Sequence, residues 1–542
     1  MTTATDFSAL ASGRAALARG DIKGALKQFM AGLAAAPHEP AYAQACVETL
    51  NFLDQYRLPG DVIAALERHA FHAPIDPMPL PRIARNVLAA DPRFATVEND
   101  LGQTTGDWFF ASPLLIAGLE RATVTDETLE NKLTAARRHA MMMAAREGLG
   151  IVTGRHARFM IALARHGIAT RHVWLERSDE RAALMRVLSA TAPGPARAVL
   201  HCLYAPLDDL AEGDKATLPP LLAQIAAYRA EEKTIAAALP ALTAVDPGLS
   251  AKVQAQYETF PYPLWTDVAA NAPLTWPAMI AQFITAPAAP VPATDAPQVL
   301  IAGCGTGRST CMMATLLPSA DILAVDLSRA SLAYAVRQAR RRKLANVTFA
   351  VADILRLGEI DRRFDLIECG GVLHHMAEPD RGLAVLSNLL NPGGVMSVAL
   401  YSERARAPIV AARAFIAERG ITGDLAGLRQ VRHEIHALPA DHPLRRLTRR
   451  PDFYAGDSLH DLIFNVQEVR YTPAGLKRLI ATTDLVFLGF NTVKPGRLAE
   501  YRAAYPADPL GRNLDTWEAF DHTHPDTFQG MFQMWLQKPR LP

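Results

Sequence analysis

One short stretch, QVLIAGCGTGRST from Gln298 to Thr310, constrains the fold more than any other part of the chain. Four apolar residues lead directly into three glycines at every second position, Gly303, Gly305 and Gly307. This pattern is typical of a buried strand that ends in a tight turn and continues into a helix. Glycine allows positive φ and a close approach of the backbone, and the helix that follows offers free N–H groups. We therefore expect a ligand to lie against this turn.

Apolar runs and amphipathic segments alternate beyond this point, which predicts an α/β domain over 298–542. We expect helices on both faces of a parallel sheet, and a mostly helical insertion at 402–470. The segment NPGG is predicted to be a turn. The predicted strands are QVLIAGC, DILAVDL, VTFAVADI, FDLIECGG, VMSVALY, DLVFLGFN and GMFQMWLQK, and two of the predicted helices are SRASLAYAVRQARRRK and PDRGLAVLSNLL.

Two carboxylates follow the glycine turn at strand ends. Asp326 ends the second predicted strand, where it can accept two hydrogen bonds from a ribose diol or serve only as a turn residue. Asp353 ends the third, where it can meet an adenine amine or cap a helix. Arg308 stands where a Gly-x-Gly-x-x-Gly dinucleotide fingerprint needs glycine, and no Walker Lys-Ser/Thr follows. The turn therefore fits neither of those two nucleotide sites.

The segments IAGCGTGRS, AVDLS, VADI, FDLIECGGVLHHM and LLNPGG together resemble the class I S-adenosylmethionine-dependent methyltransferases over roughly 255–538. The resemblance implies a Rossmann-like seven-stranded sheet with one reversed strand at its edge, and S-adenosylmethionine as the cofactor. The glycines would line the methionine and ribose part, Asp326 would hold the ribose, and Asp353 with Ile354 would flank the adenine. The cofactor-binding residues implied in this part of the chain are Gly303, Cys304, Gly305, Gly307, Asp326, Leu327, Asp353, Ile354 and Gly370.

The segment QYETFPYPLW resembles the YEENPYPRW-type segment of bacterial proteins that join tetratricopeptide repeats to this methyltransferase fold. Tyr257 and Tyr262 match that segment, whereas Thr259, Phe260 and Leu264 replace the Glu, Asn and Arg of the group. We predict that the two tyrosines contact the cofactor as part of a lid that excludes water. The alternative is aromatic–proline packing between domains.

The N-terminal part is predicted to be helical. Small residues and a proline recur at similar offsets in RGDIKGALKQFMAGLAAAP and LPGDVIAALERHAFHAPIDP, which resembles tetratricopeptide repeats with an unusually long period. The alternative is an alanine-rich helical bundle without a peptide groove. The predicted domains are tetratricopeptide-like repeats at 1–80, an all-helical domain at 81–245, a lid segment and linker at 246–297, and the α/β domain.

Methyl transfer requires an aligned acceptor lone pair, a dry site and, for some acceptors, a base. His374 and His375 follow the fourth predicted strand and are the candidate bases, although one could cap a helix while the other packs. Asp461, Asn465 and Glu468 would share one face if their segment is a helix, and they could either bind the acceptor or face solvent.

Cys369 and Gly370 stand where many nitrogen methyltransferases of this fold carry Asn or Asp and Pro. The usual site for methylating an amide or base nitrogen is therefore absent. Cys369 is expected to form a small apolar wall.

Composition limits the remaining function classes. The 56 Lys and Arg residues nearly balance 55 Asp and Glu, so no overall field favours nucleic acid or an acidic membrane. Five cysteines without a Cys-x-x-Cys pair favour reduced thiols in the cytosol over disulfides or structural zinc. We see neither a signal peptide nor an apolar run of membrane-spanning length, and no metal is predicted. A cytoplasmic location is therefore expected.

These observations favour an enzyme that methylates a protein or peptide, because repeat hairpins form concave grooves. The alternatives are a small-molecule methyltransferase whose helical half serves dimerisation, and a non-catalytic scaffold that binds S-adenosylmethionine. A homodimer is left open.

Overall fold

The computed structural model describes residues 8–53, 56–72, 75–101, 106–268, 272–491, 493 and 496–540. The chain forms two compact units, each assembled from three segments. The helical unit comprises Met1–Tyr228, Leu264–Ala270 and Arg419–His460, and the sheet unit comprises Arg229–Pro263, Asn271–Glu418 and Asp461–Pro542.

The N-terminal part of the chain is built from helices, as predicted. In chain order they are α1 Ser8–Ala18, α2 Ile22–Ala35, α3 Pro40–Leu50, α4 Gly60–Ala70, α5 Leu80–Leu88, α6 Val97–Asp100, α7 Asp107–Phe110, α8 Pro113–Arg121, α9 Glu127–Glu147, α10 Gly150–Thr153, α11 Ala157–Ala169, α12 Ser178–Ala190, α13 Pro195–Cys202, α14 Glu212–Lys215 and α15 Pro220–Ala238.

The predicted boundary at residue 80 does not separate two bodies in the structure. One hydrophobic core runs through the helical unit from Leu10 to Leu222. Close packing joins the two sides of that boundary, because a β-carbon on Gly118 of α8 would lie 3.2 Å from the backbone nitrogen of Pro81 in α5. A larger residue at this position would require the two helices to move slightly apart.

The second half of the chain supplies the remaining helices. They are α16 Leu249–Thr259, α17 Trp276–Phe283, α18 Arg308–Leu316, α19 Arg329–Arg341, α20 Pro379–Leu389, α21 Ala407–Glu418, α22 Leu425–Ala437, α23 Gly456–Ile463, α24 Pro473–Ile480, α25 Arg497–Ala504 and α26 Leu514–Thr523.

The predicted insertion at 402–470 is mostly helical, as expected, but its middle belongs to the helical unit. The buried guanidinium of Arg432 in α22 donates to Glu130 at 2.5 Å and to the carbonyl oxygen of Val173 at 3.0 Å. This charged, buried contact explains why residues 419–460 cluster with the N-terminal helices. The ends of the insertion stay in the sheet unit.

The sheet unit contains a seven-stranded mixed sheet. Its strands are β1 Gln298–Ala302, β2 Asp321–Asp326, β3 Val347–Val351, β4 Phe364–Gly370, β5 Leu390–Tyr401, β6 Val486–Phe490 and β7 Met531–Gln537. Their order across the sheet is β3-β2-β1-β4-β5-β7-β6. Neighbours from β3 to β5 are parallel, whereas β7 is antiparallel to both β5 and β6.

Two sequence-based expectations need correction here. The reversed strand is β7, and it lies between β5 and β6 rather than at the edge, because β6 takes the outer position and the last strand fills the gap. The predicted turn NPGG instead lies within the run of β5, where the register against β4 shifts between Phe364 and Leu366. The extra residues of this irregularity are accommodated as in a β-bulge.

Parallel pairing places the carboxyl ends of β1 to β5 at one edge of the sheet, as in other open α/β sheets. Burial of these strands on both faces explains their continuous apolar sequences. Among the described helices, none is both long enough and apolar enough to cross a lipid bilayer.

Candidate functional site

The turn between β1 and α18 bends through three left-handed glycines. Gly303, Gly305 and Gly307 have φ values of +76°, +53° and +78°. The N–H groups of Gly303 and Cys304 donate to the carbonyl oxygen of Val325 at 2.8 and 2.9 Å, which ties the turn to the end of β2. Side chains other than glycine are strained at such φ values, so the spacing of the glycines follows from the shape of the turn.

Protein atoms, rather than open space, face the α-carbons of these glycines. A β-carbon on Gly303 would collide with the side chain of Val372, and one on Gly305 would lie 2.8 Å from the carbonyl oxygen of Tyr262. One on Gly307 would lie 2.5 Å from the β-carbon of Ala335. The turn therefore needs glycine for its own packing, and the predicted contacts of these glycines with a cofactor remain a prediction.

Asp326 holds the turn from the end of β2. Its Oδ2 accepts from the Gly305 N–H at 2.8 Å, and its Oδ1 accepts from the Ser328 N–H at 2.9 Å. Burial raises the pKa of this carboxyl, and the two backbone hydrogen bonds oppose that shift. Each carboxylate oxygen retains a further lone pair, so Asp326 can still accept from a diol. The next residue, Leu327, accepts from Gln254 Nε2 at 2.8 Å through its carbonyl oxygen.

Asp353 acts as a helix cap in this structure. Its Oδ1 accepts from the Leu355 N–H at 3.0 Å, which starts a 3₁₀ helix at Ile354, and its Oδ2 accepts from the Asp246 N–H at 3.1 Å. Asp353 and Ile354 are both buried. The contacts of Asp353 are thus those of a helix cap, the alternative considered above. Its contact with adenine stays a prediction.

The remaining predicted residues near the turn lie at the ends of β1 and β4. Cys304 is buried, and burial raises the pKa of its thiol well above the ordinary value. Burial also raises the pKa of Cys369 to about 12, and its place in an apolar wall stays a prediction. Gly370 is exposed at the carboxyl end of β4. It is therefore available to a ligand at this edge of the sheet.

Helix α16 is fastened to the loop after β2. The Glu258 carboxylate accepts from the N–H groups of Arg329 and Ala330 at 2.6 and 3.0 Å, and thereby caps the N-terminus of α19. Beyond the end of α16, the carbonyl oxygen of Pro263 accepts a hydrogen bond from the Thr306 hydroxyl. The aromatic–proline segment therefore lies directly against the glycine turn, where a lid was predicted.

Tyr257 connects α16 to the end of the insertion. We call Tyr257, His375, Asp461 and Asn465 the polar cluster. The Tyr257 hydroxyl donates to Asp461 Oδ1 at 2.7 Å, and Asn465 Nδ2 lies 3.2 Å from the Tyr257 oxygen, 3.3 Å from Asp461 Oδ1 and 3.4 Å from His375 Nε2. Burial raises the pKa of Asp461 to about 6, and the bond from Tyr257 opposes that shift. The Tyr257 hydroxyl and the Asn465 amide together offer three protons to three acceptor atoms, namely the Tyr257 oxygen, Asp461 Oδ1 and His375 Nε2.

The segment that carries Asp461, Asn465 and Glu468 is not one continuous helix, so the condition for a shared helix face is not met. Helix α23 ends at Ile463, so Asn465 and Glu468 lie beyond it. Tertiary contacts still bring Asp461 and Asn465 together, whereas Glu468 forms a buried ion pair with Arg406. Asp461 and Asn465 are therefore neighbours through tertiary contacts, and not because of their spacing along a helix.

The two candidate bases have different surroundings. His375 Nδ1 donates to the carbonyl oxygen of Gln467 at 2.7 Å, which leaves Nε2 as an acceptor, and burial lowers the pKa of His375 to about 4. His374 is fully buried and stacks on Tyr401 at 3.7 Å, with neither ring nitrogen hydrogen-bonded. Burial lowers its pKa well below the ordinary value. Both rings are neutral near pH 7, and His375 is the better placed to accept a proton.

Sequence reasoning missed Tyr401, Arg406 and Glu368. Tyr401 ends β5 and stacks on His374, while the Arg406 guanidinium lies 3.9 Å from the centre of the Tyr401 ring. The rule that found His374 at the end of β4 applies equally to the end of β5 and would have found Tyr401. The pairing of Arg406 with Glu468 spans 62 residues, and no local pattern signals it.

The residues at this edge fit an adenosyl sulfonium donor. Asp326 offers spare lone pairs for a ribose diol, and the Glu368 carboxylate supplies negative charge that suits a cationic donor. The turn also places the N-terminus of α18 at the same edge. Among the described residues, no group of three His, Cys, Asp or Glu side chains is placed to hold a metal ion.

Comparison with known proteins finds a methyltransferase domain in this part of the chain. Residues 294–432 match a family model described as a methyltransferase domain. An uncharacterised protein of Synechococcus is 37% identical over 211 residues, which cover 37% of this chain and 50% of that protein. The trans-aconitate 2-methyltransferase of Deinococcus radiodurans is 36% identical over 133 residues, or 23% of this chain and 49% of that enzyme. The chain thus spans about half the length of these curated relatives.

Solved structures resemble the chain over similar lengths. PKMT2 from Rickettsia typhi in complex with AdoHcy has a TM-score of 0.39 and 21% identity, covering 48% of this chain and 52% of that one. The [4+2]-cyclase SpnF has a TM-score of 0.30 and 18% identity, covering 56% of this chain and all of that one.

Proposed function

We propose that this chain, which carries an S-adenosylmethionine-dependent methyltransferase domain at residues 294–432, transfers the methyl group of that cofactor to a polypeptide acceptor. One observation carries the methyl-transfer part: the left-handed glycine turn is hydrogen-bonded to Asp326 at the carboxyl edge of the sheet. Asp326 would hold the ribose and the turn the methionine part, with Gly370 at the same edge.

The cofactor supplies an electrophilic methyl group on a sulfonium, and the protein supplies alignment and a dry site. Tyr262 and Pro263, which follow helix α16, lie against the turn, so they can exclude water from it. His375 Nε2 and the Asp461 carboxylate are the groups that can accept a proton from an acceptor hydroxyl or amine.

The polypeptide acceptor rests on the helical unit. Helices α1 and α2 pack so closely that a β-carbon on Gly13 would collide with the ring of Phe29. Helices α2 and α3 are similarly close where Gly32 meets the ring of Tyr42. This small-against-large packing of helix hairpins supports the proposed tetratricopeptide-like character of residues 1–80 and a peptide-binding role. A cytoplasmic location, with neither nucleic acid nor membrane as a partner, completes the proposal, and a homodimer is left open.

A small polar metabolite is the second candidate acceptor. The side chains of His375, Asp461 and Asn465 are buried, which suits a compact ligand that becomes fully enclosed. Two matched relatives are named for small-molecule or carrier-bound acceptors, trans-aconitate and malonyl-[acyl-carrier protein].

The test incubates the protein with methyl-labelled S-adenosylmethionine and a bacterial lysate separated by size. Label in the macromolecular fraction that is sensitive to protease supports the polypeptide acceptor, whereas label in the small fraction supports the metabolite. The variant Asp326→Ala serves as the control for donor-dependent transfer. Binding of the donor without label in either fraction would contradict enzymatic activity and favour a cofactor-binding scaffold.

A further inference from the structure

Glu368 lies beneath the glycine turn on the side opposite to Asp326. It belongs to β4 and pairs with Ile301 of β1, two residues before Gly303. Residues paired across parallel strands project to the same face, so Glu368 lies on the face of β1 that carries Ile301. Ser309, the second residue of α18, hydrogen-bonds to the Glu368 side chain. The carboxylate is therefore held between the end of β1 and the start of α18.

No cation of the protein compensates this carboxylate among the described residues. Burial raises the pKa of Glu368, and the hydrogen bond with Ser309 opposes that shift. The negative charge of Glu368 also contributes to the raised pKa of the Cys304 thiol in the turn. A buried carboxylate without a cation is unfavourable, so a ligand that brings a positive charge would be stabilised here. Part of the Glu368 residue nevertheless remains exposed to solvent.

We propose that Glu368 receives the α-ammonium group of the methionine part of the donor. The sheet order β2-β1-β4 places Asp326 and Glu368 on opposite sides of β1, with the glycine turn between them. Asp326 then serves the ribose and Glu368 the amino acid end, so the two carboxylates orient the donor from its two sides. This assignment rests on the proposed function, because it concerns the same donor site.

The test measures binding by calorimetry, without any methyl transfer. The probes are S-adenosylhomocysteine and its analogue in which hydrogen replaces the α-amino group. Wild-type protein should bind S-adenosylhomocysteine roughly 10- to 100-fold more tightly than the analogue, as expected for a charge-assisted hydrogen bond. Glu368→Gln should remove most of that preference and leave the affinity for the analogue unchanged. Unchanged binding of the analogue also shows that the variant is folded.

The matched control is Glu359→Gln, the same substitution at an exposed glutamate that pairs with Arg356. It should keep the wild-type preference. Equal wild-type affinities for both probes, or an equal loss of both in Glu368→Gln, would overturn the role of Glu368. Wild-type protein that binds neither probe would overturn this role together with the proposed function, whereas binding without the preference overturns only the former.

Discussion

The carbonyl oxygen of Tyr262 lies 2.8 Å from the position that a β-carbon on Gly305 would occupy. This contact places the backbone of the aromatic–proline segment on the glycine turn, with no side chain between them. The same turn is held from the other direction by the hydrogen bond from Gly305 to Asp326. Gly305 thus couples the proposed lid to the end of β2.

Gly305→Ala should lower the free energy of unfolding by about 1–3 kcal/mol, because alanine is strained at φ +53° and its β-carbon meets Tyr262. It should also weaken the binding of S-adenosylhomocysteine in calorimetry. Gly358→Ala is the matched control, since a β-carbon there meets no atom within 4 Å. That variant should change stability by no more than about 0.5 kcal/mol. Equal effects of the two substitutions would show that the contact with Tyr262 is unimportant.

Asp326→Asn should weaken the binding of S-adenosylhomocysteine by about 1.5–3 kcal/mol, the range for a hydrogen bond to a charged group. The amide keeps only one oxygen for the N–H groups of Gly305 and Ser328, and its NH₂ group cannot accept from the other. Calorimetry gives the affinity, and urea unfolding shows whether the turn itself is weakened. An unchanged dissociation constant in a folded variant would remove Asp326 from the donor site.

Tyr257 and Asp461 should be energetically coupled. Their hydrogen bond of 2.7 Å joins α16 to the end of the insertion, and the single variants Tyr257→Phe and Asp461→Asn each remove the charge-assisted form of it. A double-mutant cycle on the free energy of unfolding should give a coupling energy of about 1–3 kcal/mol. Additive effects would mean that the two side chains do not stabilise each other in solution.

The fold of the sheet unit was largely readable from the sequence because its strands are buried on both faces. Continuous apolar runs ending in Gly303, Asp326 and Asp353 located β1, β2 and β3, and alternation with helices predicted their parallel pairing. The position of β7 was missed, because strand order depends on which gap the last strand fills, and no local pattern encodes that choice.

The site was only partly predictable for the same physical reason. Asp326 was found because it follows a strand at a known distance from the glycine turn. Glu368 was missed because it lies inside an apolar strand. The sequence alone does not show that this residue pairs with Ile301 of β1, close to the glycine turn. Asp461 and Asn465 were selected by a helical spacing that ends at Ile463, and long-range contacts rather than periodicity bring them together.

The pH dependence of stability should report the buried state of His375. Its pKa is lowered to about 4 by burial, whereas an unfolded histidine titrates near 6.5. The unfolded state therefore binds more protons, and the contribution of His375 to stability is complete above about pH 6.5 and is lost as the pH falls towards 4. Each pH unit in this window should cost about 1.4 kcal/mol.

Urea unfolding of wild-type protein and His375→Gln at several pH values between 4.5 and 7 checks this expectation. The variant should be less stable at pH 7, since it loses the bond to Gln467, but its stability should fall less steeply with acid. His433→Gln, at an exposed histidine, should keep the wild-type slope. A variant of His375 with an unchanged slope would contradict its burial as a neutral ring.

Arg406 and Glu468 form a buried ion pair, with 3% and 2% of their side chains exposed, and this burial decides the cost of breaking it. Arg406→Met should lower the free energy of unfolding by about 3–5 kcal/mol, because Glu468 is left buried with only the longer contact to Arg470, at 3.5 Å. The double variant Arg406→Met with Glu468→Gln should recover much of that loss, since no uncompensated charge remains. The exposed pair Lys477–Asp515 is the matched control, and Lys477→Met should cost at most about 1 kcal/mol. Equal losses at the two pairs, measured by urea unfolding, would show that Arg406 and Glu468 are hydrated in solution.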